Sequence, residues 1–120
     1  MPLQGLYKIS APIDIDKGFT AGISFDPEHE VFAGHFPGQP VVPGVVLIRI
    51  VRDLVSRSCG RQVKLQQATN VKFLNIIDPK NTQEVTLSGS MQEDGAGHVT
   101  VNAIISSGET KFFRFKGTFS

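Results

Sequence analysis

One histidine lies in the conformationally most restricted stretch of the sequence, where it could perform acid–base chemistry. His35 falls within the eleven residues from Gly34 to Gly44, which include three glycines and three prolines. Proline fixes φ and glycine permits φ values that other residues avoid, so the residue types dictate the backbone shape here. An imidazole positioned by such a loop can act as a general base near neutral pH.

A long apolar segment follows and predicts a helix. Residues 45–55 (VVLIRIVRDLV) are apolar nearly all round, and the Pro-Gly start is typical of a helix N-terminus. A helix this apolar must be wrapped by other structure, and Ser58, Cys59 and Gly60 would end it. The N–H groups of Gly44 and Val45 would lie at its start, where free donors and the positive dipole end suit a developing oxyanion such as an enolised thioester carbonyl. The polar positions, spaced three and four apart, predict one narrow face: Arg49, Arg52, Asp53 and Ser56.

The other segments alternate between apolar and polar residues, as half-buried strands do. Such runs begin at Leu6, Phe19, Val85, Val99 and Phe113, and residues 63–77 predict a further strand. Turn residues at 78–81, 94–97 and 106–108 separate the later runs. We expect one α+β domain over residues 1–120, in which two strands, a central helix and about four strands in an antiparallel meander follow in order. Such a sheet has exposed edges that a dimer could cover.

Two stretches resemble the bacterial β-hydroxyacyl-acyl-carrier-protein dehydratases, which have the hotdog fold. Residues 34–40 (GHFPGQP), followed by 43–45 (PGV), are similar to that family's motif, and residues 71–79 (VKFLNIIDP) are similar to its Lys-Phe strand and Pro-bearing turn. The resemblance covers the chain from about Phe19 to Phe119. It implies an antiparallel sheet around one long central helix and a lyase that dehydrates 3-hydroxyacyl thioesters in fatty-acid or polyketide-like biosynthesis.

The resemblance also implies roles for particular residues. His35 would remove the C2 proton of the substrate, and the Gly44 N–H would hold the thioester carbonyl. The family's second catalytic residue is a Glu or Asp fourteen positions after the histidine, and here that position is Arg49. Arginine stays protonated at any ordinary pH and is a poor proton donor. Losing a general acid typically lowers the rate by about 10²–10⁴.

Several interpretations of Arg49 remain open. It could orient a water or bind an anionic substrate group, or it could be a surface residue paired with Asp53 at i, i+4. The acid could instead come from Asp53, Glu28 or Glu30. Alternatively, the chain is a non-catalytic acyl-thioester-binding subunit whose hotdog partner supplies the carboxylate. A hotdog thioesterase using His35 with a water is a further alternative.

Binding residues are expected around the same loop and at the far end of the helix. Four apolar residues are candidates for contact with the substrate: Phe32, Phe36, Pro43 and Val45. A basic stretch opposed only by Asp53 predicts docking of an acidic acyl carrier protein through Arg57, Arg61 and Lys64, although cations also complement a helix C-terminus. Coenzyme A thioesters are the alternative substrate form. A homodimer or higher oligomer is expected, or a heterodimer with a related dehydratase.

Other classes of function fit less well. Twelve Lys and Arg against eleven Asp and Glu give a net charge of +1, which disfavours a strongly basic nucleic-acid binder. No cofactor or metal is expected, because no dinucleotide fingerprint or zinc-site spacing is present and His29 and His98 suit the surface. Cys59 lacks a His partner at a spacing typical of a nucleophile. The single cysteine, the absence of a signal-like N-terminus and the lack of an apolar run of about 18 residues predict a cytoplasmic protein without a membrane span.

Overall fold

The computed structural model describes residues 4–10, 13–15, 18–32 and 41–120. In this part of the chain the strands and the helix follow in the order β1 Tyr7–Ile9, β2 Ile13–Ile15, β3 Gly18–Phe25, α1 Gly44–Cys59, β4 Leu65–Phe73, β5 Glu84–Glu93, β6 Val99–Ser107 and β7 Thr110–Phe119. A short 3₁₀ turn spans Glu30–Phe32. None of the described helices has the length and apolarity needed to cross a membrane.

One antiparallel sheet contains all of these strands. Its order is β1-β3-β5-β6-β7-β4, and β2 also pairs with β3. The predicted meander is confirmed for β5, β6 and β7 but is wrong for β4, which pairs with β7 at the far edge. The connection from β3 to β4 runs through α1 and carries the chain from one side of the sheet to the opposite edge. The helix covers the inner face of the sheet. Sequence alternation alone does not reveal such a crossover.

The core lies between the inner face of the sheet and α1. The predicted alternation of β3 and β6 is confirmed, since the buried side chains are the apolar ones at every second position. The helix buries one broad apolar face against them, made of Val46, Leu47, Ile50, Val51, Leu54 and Val55. Phe113, Phe115 and Phe119 on β7 are also buried and stand in a row of neighbouring rings.

Both ends of α1 follow from local residue types. Pro43 is the N-cap and makes no side-chain capping hydrogen bond, and the Val46 N–H donates to the Pro43 carbonyl at 3.0 Å. Gly60 ends the helix with a left-handed φ of 70°. Ser56, one of the four polar positions, is buried rather than solvent-facing, because the loop after the helix covers it and its Oγ accepts a hydrogen bond from the Val63 N–H at 3.2 Å.

Candidate active site

The start of α1 is anchored by a backbone hydrogen bond just before it, and its N-cap supplies no capping side chain. The Val42 N–H donates to the Ile77 carbonyl at 2.9 Å, which ties the segment before the helix to the segment after β4. Pro43 then begins the helix without a capping side chain. Free N–H groups at a helix N-terminus attract negative charge. This end of the helix can therefore stabilise an oxyanion.

Gly44 is where the two stretches that resemble the dehydratases meet. A Cβ built at Gly44 would lie 2.7 Å from Cε1 of Phe73, so only glycine leaves room for the ring at this distance. Phe73 in turn stacks on Phe113, with ring centroids 5.2 Å apart. The ring therefore links the start of the helix to the buried row of phenylalanines on β7.

The structure describes most, but not all, of the residues predicted to act in catalysis or to contact the substrate. His35 and Phe36 lie outside the described residues. Pro43 and Val45 flank Gly44 at the start of the helix, and Val45 is 64% exposed. Phe32 is buried in the core at the end of the 3₁₀ turn, three residues before His35 in the sequence.

Arg49 lies on the exposed side of α1 next to a tyrosine and an aspartate. The Tyr7 hydroxyl on β1 donates to the Asp53 carboxylate, and Arg49 lies close enough to the hydroxyl to act on its ionisation. Asp53 forms its ion pair with Arg52, at 3.7 Å, so the predicted pair between Arg49 and Asp53 is not the one that forms. With a phenol and a guanidinium already bound to it, Asp53 is poorly suited to replace the missing acid.

Tyr7 was not among the candidates from the sequence. It is separated from Asp53 by 46 positions, and only the pairing of β1 with β3 brings it over the helix. Burial, followed by the hydrogen bond and the charge of Asp53, raises the pKa of Tyr7 well above its ordinary value, while Arg49 lowers it in part. The phenol is therefore held protonated.

Replacing Tyr7 with Phe should remove a pH-dependent contribution to stability. Because its pKa is raised in the folded state, the phenol stabilises the fold fully below the ordinary tyrosine pKa of about 10, and this contribution is lost as the pH rises above that value. We expect Tyr7→Phe to lower the free energy of unfolding by about 1 kcal/mol at neutral pH, with a smaller difference from wild type at higher pH. Urea unfolding at a series of pH values measures both effects.

The chain offers a direct control for this prediction. It contains one tyrosine and no tryptophan, so tyrosinate absorbance during a pH titration reports Tyr7 alone. Asp53→Asn should lower the pKa of Tyr7, because it removes the carboxylate charge. An unchanged titration in that variant would contradict the assignment.

A groove runs beside α1 toward the edge strand β4. Its volume is about 340 Å³, and its lining residues are Val45, Ile48, Arg49, Arg52, Lys64, Leu65 and Phe119. Four of these lining residues are apolar, and the other three are cationic. The Nε of Arg52 is buried and has no hydrogen-bond partner in the described part of the chain.

Comparison with known proteins places this architecture in a family. A family model described as ApeI-like, ApeI dehydratase, matches residues 13–110. The chain belongs to the ApeI-like family. The expected relation to the hotdog dehydratases is thereby confirmed.

Curated dehydratases are similar in sequence to this ApeI-like chain. The 3-hydroxyacyl-acyl-carrier-protein dehydratases FabZ of Rickettsia massiliae and Rickettsia conorii are each 32% identical to it over 81 residues, which is 61% of this chain and 56% of theirs. The match thus spans just over half the length of these curated relatives.

Solved structures share the fold. The dehydratase heterocomplex ApeI:P of Xenorhabdus doucetiae matches with a TM-score of 0.67 and 19% identity, covering 92% of this chain and 96% of that one. A thioesterase of Haemophilus influenzae matches with a TM-score of 0.64 and 18% identity, covering 98% and 80%. The hotdog fold, one helix wrapped by an antiparallel sheet, is confirmed.

Of the predicted docking residues of the ApeI-like chain, Arg57 and Arg61 line one depression at the end of α1, together with Asp53 and Gln62. Arg57 donates to the Ile9 carbonyl and Arg61 donates to the Gly97 carbonyl, each at 2.8 Å. Both side chains therefore tie the end of α1 to other parts of the sheet. Lys64 lies apart from them, in the groove beside β4.

The cysteine and the two other histidines each contact another residue of the chain. Cys59 is half-buried with its Sγ 3.3 Å from a Glu93 oxygen, and burial raises the pKa of the thiol, so it suits neither a nucleophile nor a reactive thiolate. His98 is exposed and pairs with Asp94 at 3.2 Å. Nε2 of His29 lies 2.9 Å from the Gln4 carbonyl oxygen. Among the described residues, no group of three or more His, Cys, Asp or Glu could hold a metal ion.

Proposed function

We propose that this ApeI-like chain dehydrates 3-hydroxyacyl thioesters in the cytoplasm, in fatty-acid or polyketide-like biosynthesis. The observation that supports this most directly is the uncapped start of α1, where Gly44 is free of a side chain and Phe73 packs against it. His35 precedes Gly44 by nine positions in the sequence. A base and an oxyanion site are thus available from one short segment.

The reaction divides into two charge movements. His35 takes the C2 proton, and the electron pair moves toward the thioester carbonyl, whose developing negative charge the Gly44 N–H and the helix dipole stabilise. The C2–C3 double bond forms as the C3 hydroxyl departs. That oxygen must receive a proton to leave as water, and a protonated guanidinium at Arg49 is a poor donor for it. Arg49 can steady the departing oxygen by hydrogen bonding while a water relays to it the proton that His35 has taken from C2, so that water leaves and His35 returns to its neutral form.

Substrate binding follows from the same segment. Pro43 and Val45, with Phe36 before them in the sequence, would contact the acyl chain, whereas the burial of Phe32 in the core favours a packing role for that residue. The relatives act on acyl-carrier-protein thioesters by name, and Arg57, Arg61 and Lys64 would meet that acidic carrier. Since Arg57 and Arg61 also hold backbone carbonyls, charge reversal there would change both docking and stability.

A second candidate is an acyl-thioester-binding subunit that pairs with an active hotdog chain. It is favoured by one specific observation: the acid position holds Arg49, and the carboxylate one turn further along the helix, Asp53, is occupied by Tyr7 and Arg52. The structural neighbour from Xenorhabdus doucetiae is a heterocomplex of dehydratase chains. In an assembly of that kind, the partner would supply the carboxylate. The thioesterase alternative has only the shared fold in its favour.

Hydration of a short trans-2-enoyl thioester, which is the dehydratase reaction in reverse, tests the leading proposal. Loss of the enoyl absorbance would be followed for wild type, His35→Ala and His98→Ala on coenzyme A and carrier-protein thioesters. We expect the His35 variant to lose about 10²–10⁴ in rate, as expected for removal of a general base. His98→Ala is the matched control and should keep the wild-type rate, because His98 is exposed and contacts only its own turn.

The same assay separates the two candidates. Turnover by wild type that disappears in His35→Ala supports the dehydratase and shows that Arg49 does not prevent the chemistry. An inactive wild type together with an active Arg49→Glu variant would show that only the acid is missing, as the subunit proposal requires. Equal rates in wild type and His35→Ala would contradict His35 as the base.

A further inference from the structure

We infer that a depression on the outer face of the sheet, which is the face turned away from α1, binds the phosphate or diphosphate group of a larger ligand. The depression has a volume of about 260 Å³ and lies over the four strands β5, β6, β7 and β4. Its rim carries the side chains of Asn70, Ser90, Asn102, Arg114 and Lys116. The inference goes beyond the proposed function, because the start of α1 is not part of this surface.

The floor of the depression is backbone. Ala103 on β6 and Phe115 on β7 line it, yet their side chains are buried in the core on the other face of the sheet. Gly89 on β5, which is paired with Ala103, has no side chain. Ala103 is paired in turn with Phe115, so three neighbouring strands present only main-chain atoms at this level of the sheet. The surface is therefore concave at this point.

A row of exposed polar side chains crosses the sheet beside this floor. Ser90 on β5 is paired with Asn102 on β6, and Asn102 is paired with Lys116 on β7. Lys116 is paired in turn with Asn70 on β4. Residues directly opposite each other have Cβ atoms about 4.5–5.5 Å apart, so adjacent members of the row can donate to the same group. Within the described part of the chain, none of these four side chains forms a hydrogen bond or an ion pair.

The charge at this surface is positive and uncompensated. Arg114 lies two residues before Lys116 on β7, and Lys72 on β4 is directly opposite Arg114. None of these three exposed cations forms an ion pair among the residues that the structure describes, and no described lining residue of the depression is acidic. Like charges directly opposite each other on neighbouring strands are destabilising. A bound anion would relieve this repulsion.

The donors on the rim fit a phosphate group better than a carboxylate. They are two cations, two amides and one hydroxyl, all of which can donate hydrogen bonds. A phosphate monoester carries a charge of about −1.5 to −2 at neutral pH and has more acceptor oxygens than the two of a carboxylate. The depression is smaller than the roughly 300–1,000 Å³ of sites that enclose a whole ligand. The rest of the ligand would therefore lie over the exposed sheet.

Isothermal titration calorimetry of the whole chain with inorganic diphosphate tests the inference. We expect saturable binding to wild type at low salt, weakened at least about tenfold by Arg114→Gln or Lys116→Gln, because each change removes a charged donor. Lys8→Gln is the matched control, since Lys8 is an exposed cation of β1 in the same sheet and does not line the depression. Failure of wild type to bind, or an equal loss of affinity in the Lys8 and Lys116 variants, would overturn the inference.

Thermal unfolding gives a second readout through Lys72. Because Lys72→Gln removes one of two opposed cations, its unfolding temperature without ligand should exceed that of wild type, and added diphosphate should raise it by less. A lower unfolding temperature in the ligand-free variant would contradict the repulsion from which the site is inferred.

Two sources carry this chemistry, a soluble nucleotide and a phospholipid headgroup. Displacement of diphosphate by ADP would support a soluble ligand. Displacement by phosphatidylcholine vesicles that contain phosphatidic acid, but not by ADP, would support a lipid. Failure of both to displace diphosphate would overturn the assignment to a larger ligand. All of these measurements omit the thioester, so they are independent of the result of the enoyl hydration assay.

Discussion

Gly89→Ala is expected to prevent stable folding. A Cβ at this position in β5 would lie 1.9 Å from the backbone carbonyl oxygen of Asn102 and 2.9 Å from the Cα of Ala103, both on the paired strand β6. These are backbone atoms in the middle of the sheet, so neither can move aside without breaking the pairing of β5 with β6. We expect a loss of about 3 kcal/mol or more in the free energy of unfolding, a large share of the 5–15 kcal/mol typical of a domain.

Gly22→Ala in the adjacent strand β3 is the matched control. A Cβ there would lie 3.3 Å from the Oγ of Ser10, a side-chain atom that can shift. The two variants should therefore separate clearly in thermal unfolding followed by circular dichroism. If Gly89→Ala unfolded at the same temperature as Gly22→Ala, the close approach of β5 and β6 would be refuted.

Phe113→Ala is expected to destabilise the fold strongly and also to disturb the candidate site. Phe113 is fully buried on β7, and its ring lies between those of Phe73 and Phe115. Removing a buried phenylalanine ring typically costs about 3–5 kcal/mol. Because Phe73 stacks on Phe113 and also packs against Gly44, the cavity should free Phe73 to leave the start of α1.

Two readouts distinguish the core effect from the site effect. Phe73→Ala should change stability much less than Phe113→Ala, because Phe73 is already 57% exposed, yet it should disturb substrate turnover or binding at the start of the helix to a similar degree. Phe113→Leu should recover most of the stability. A Phe73 variant with wild-type turnover would show that the ring does not shape the site.

Much of the fold could be predicted from local patterns. The period-two alternation of β3 and β6 follows from burial on one face of a sheet, and it was sufficient to place their inward residues. The start of the helix at Pro43 and its end at Gly60 follow from the backbone preferences of those two residues. The motif around His35 was specific enough to predict the family that the comparison then showed.

Other features depend on contacts between distant parts of the chain. The position of β4 beyond β7 could not be predicted, because the residue pattern of a strand does not depend on which strand lies next to it in the sheet. The hydrogen bond from Tyr7 to Asp53 joins residues 46 positions apart and depends on the position of β1 in the sheet. The burial of Ser56 depends on the loop that folds back after the helix.

The sequence by itself therefore determined the helix, the longer strands, the family and the identity of the residues at the start of α1, but not β2 or the 3₁₀ turn, because proline, glycine and side-chain alternation act over a few neighbouring residues. Tertiary structure alone decided what surrounds them. It placed the Phe73 ring against Gly44, engaged Asp53 with Tyr7 and Arg52, and left the cations of the groove beside an unpaired strand edge. These arrangements arise from packing between segments far apart in the chain, which local residue preferences do not specify.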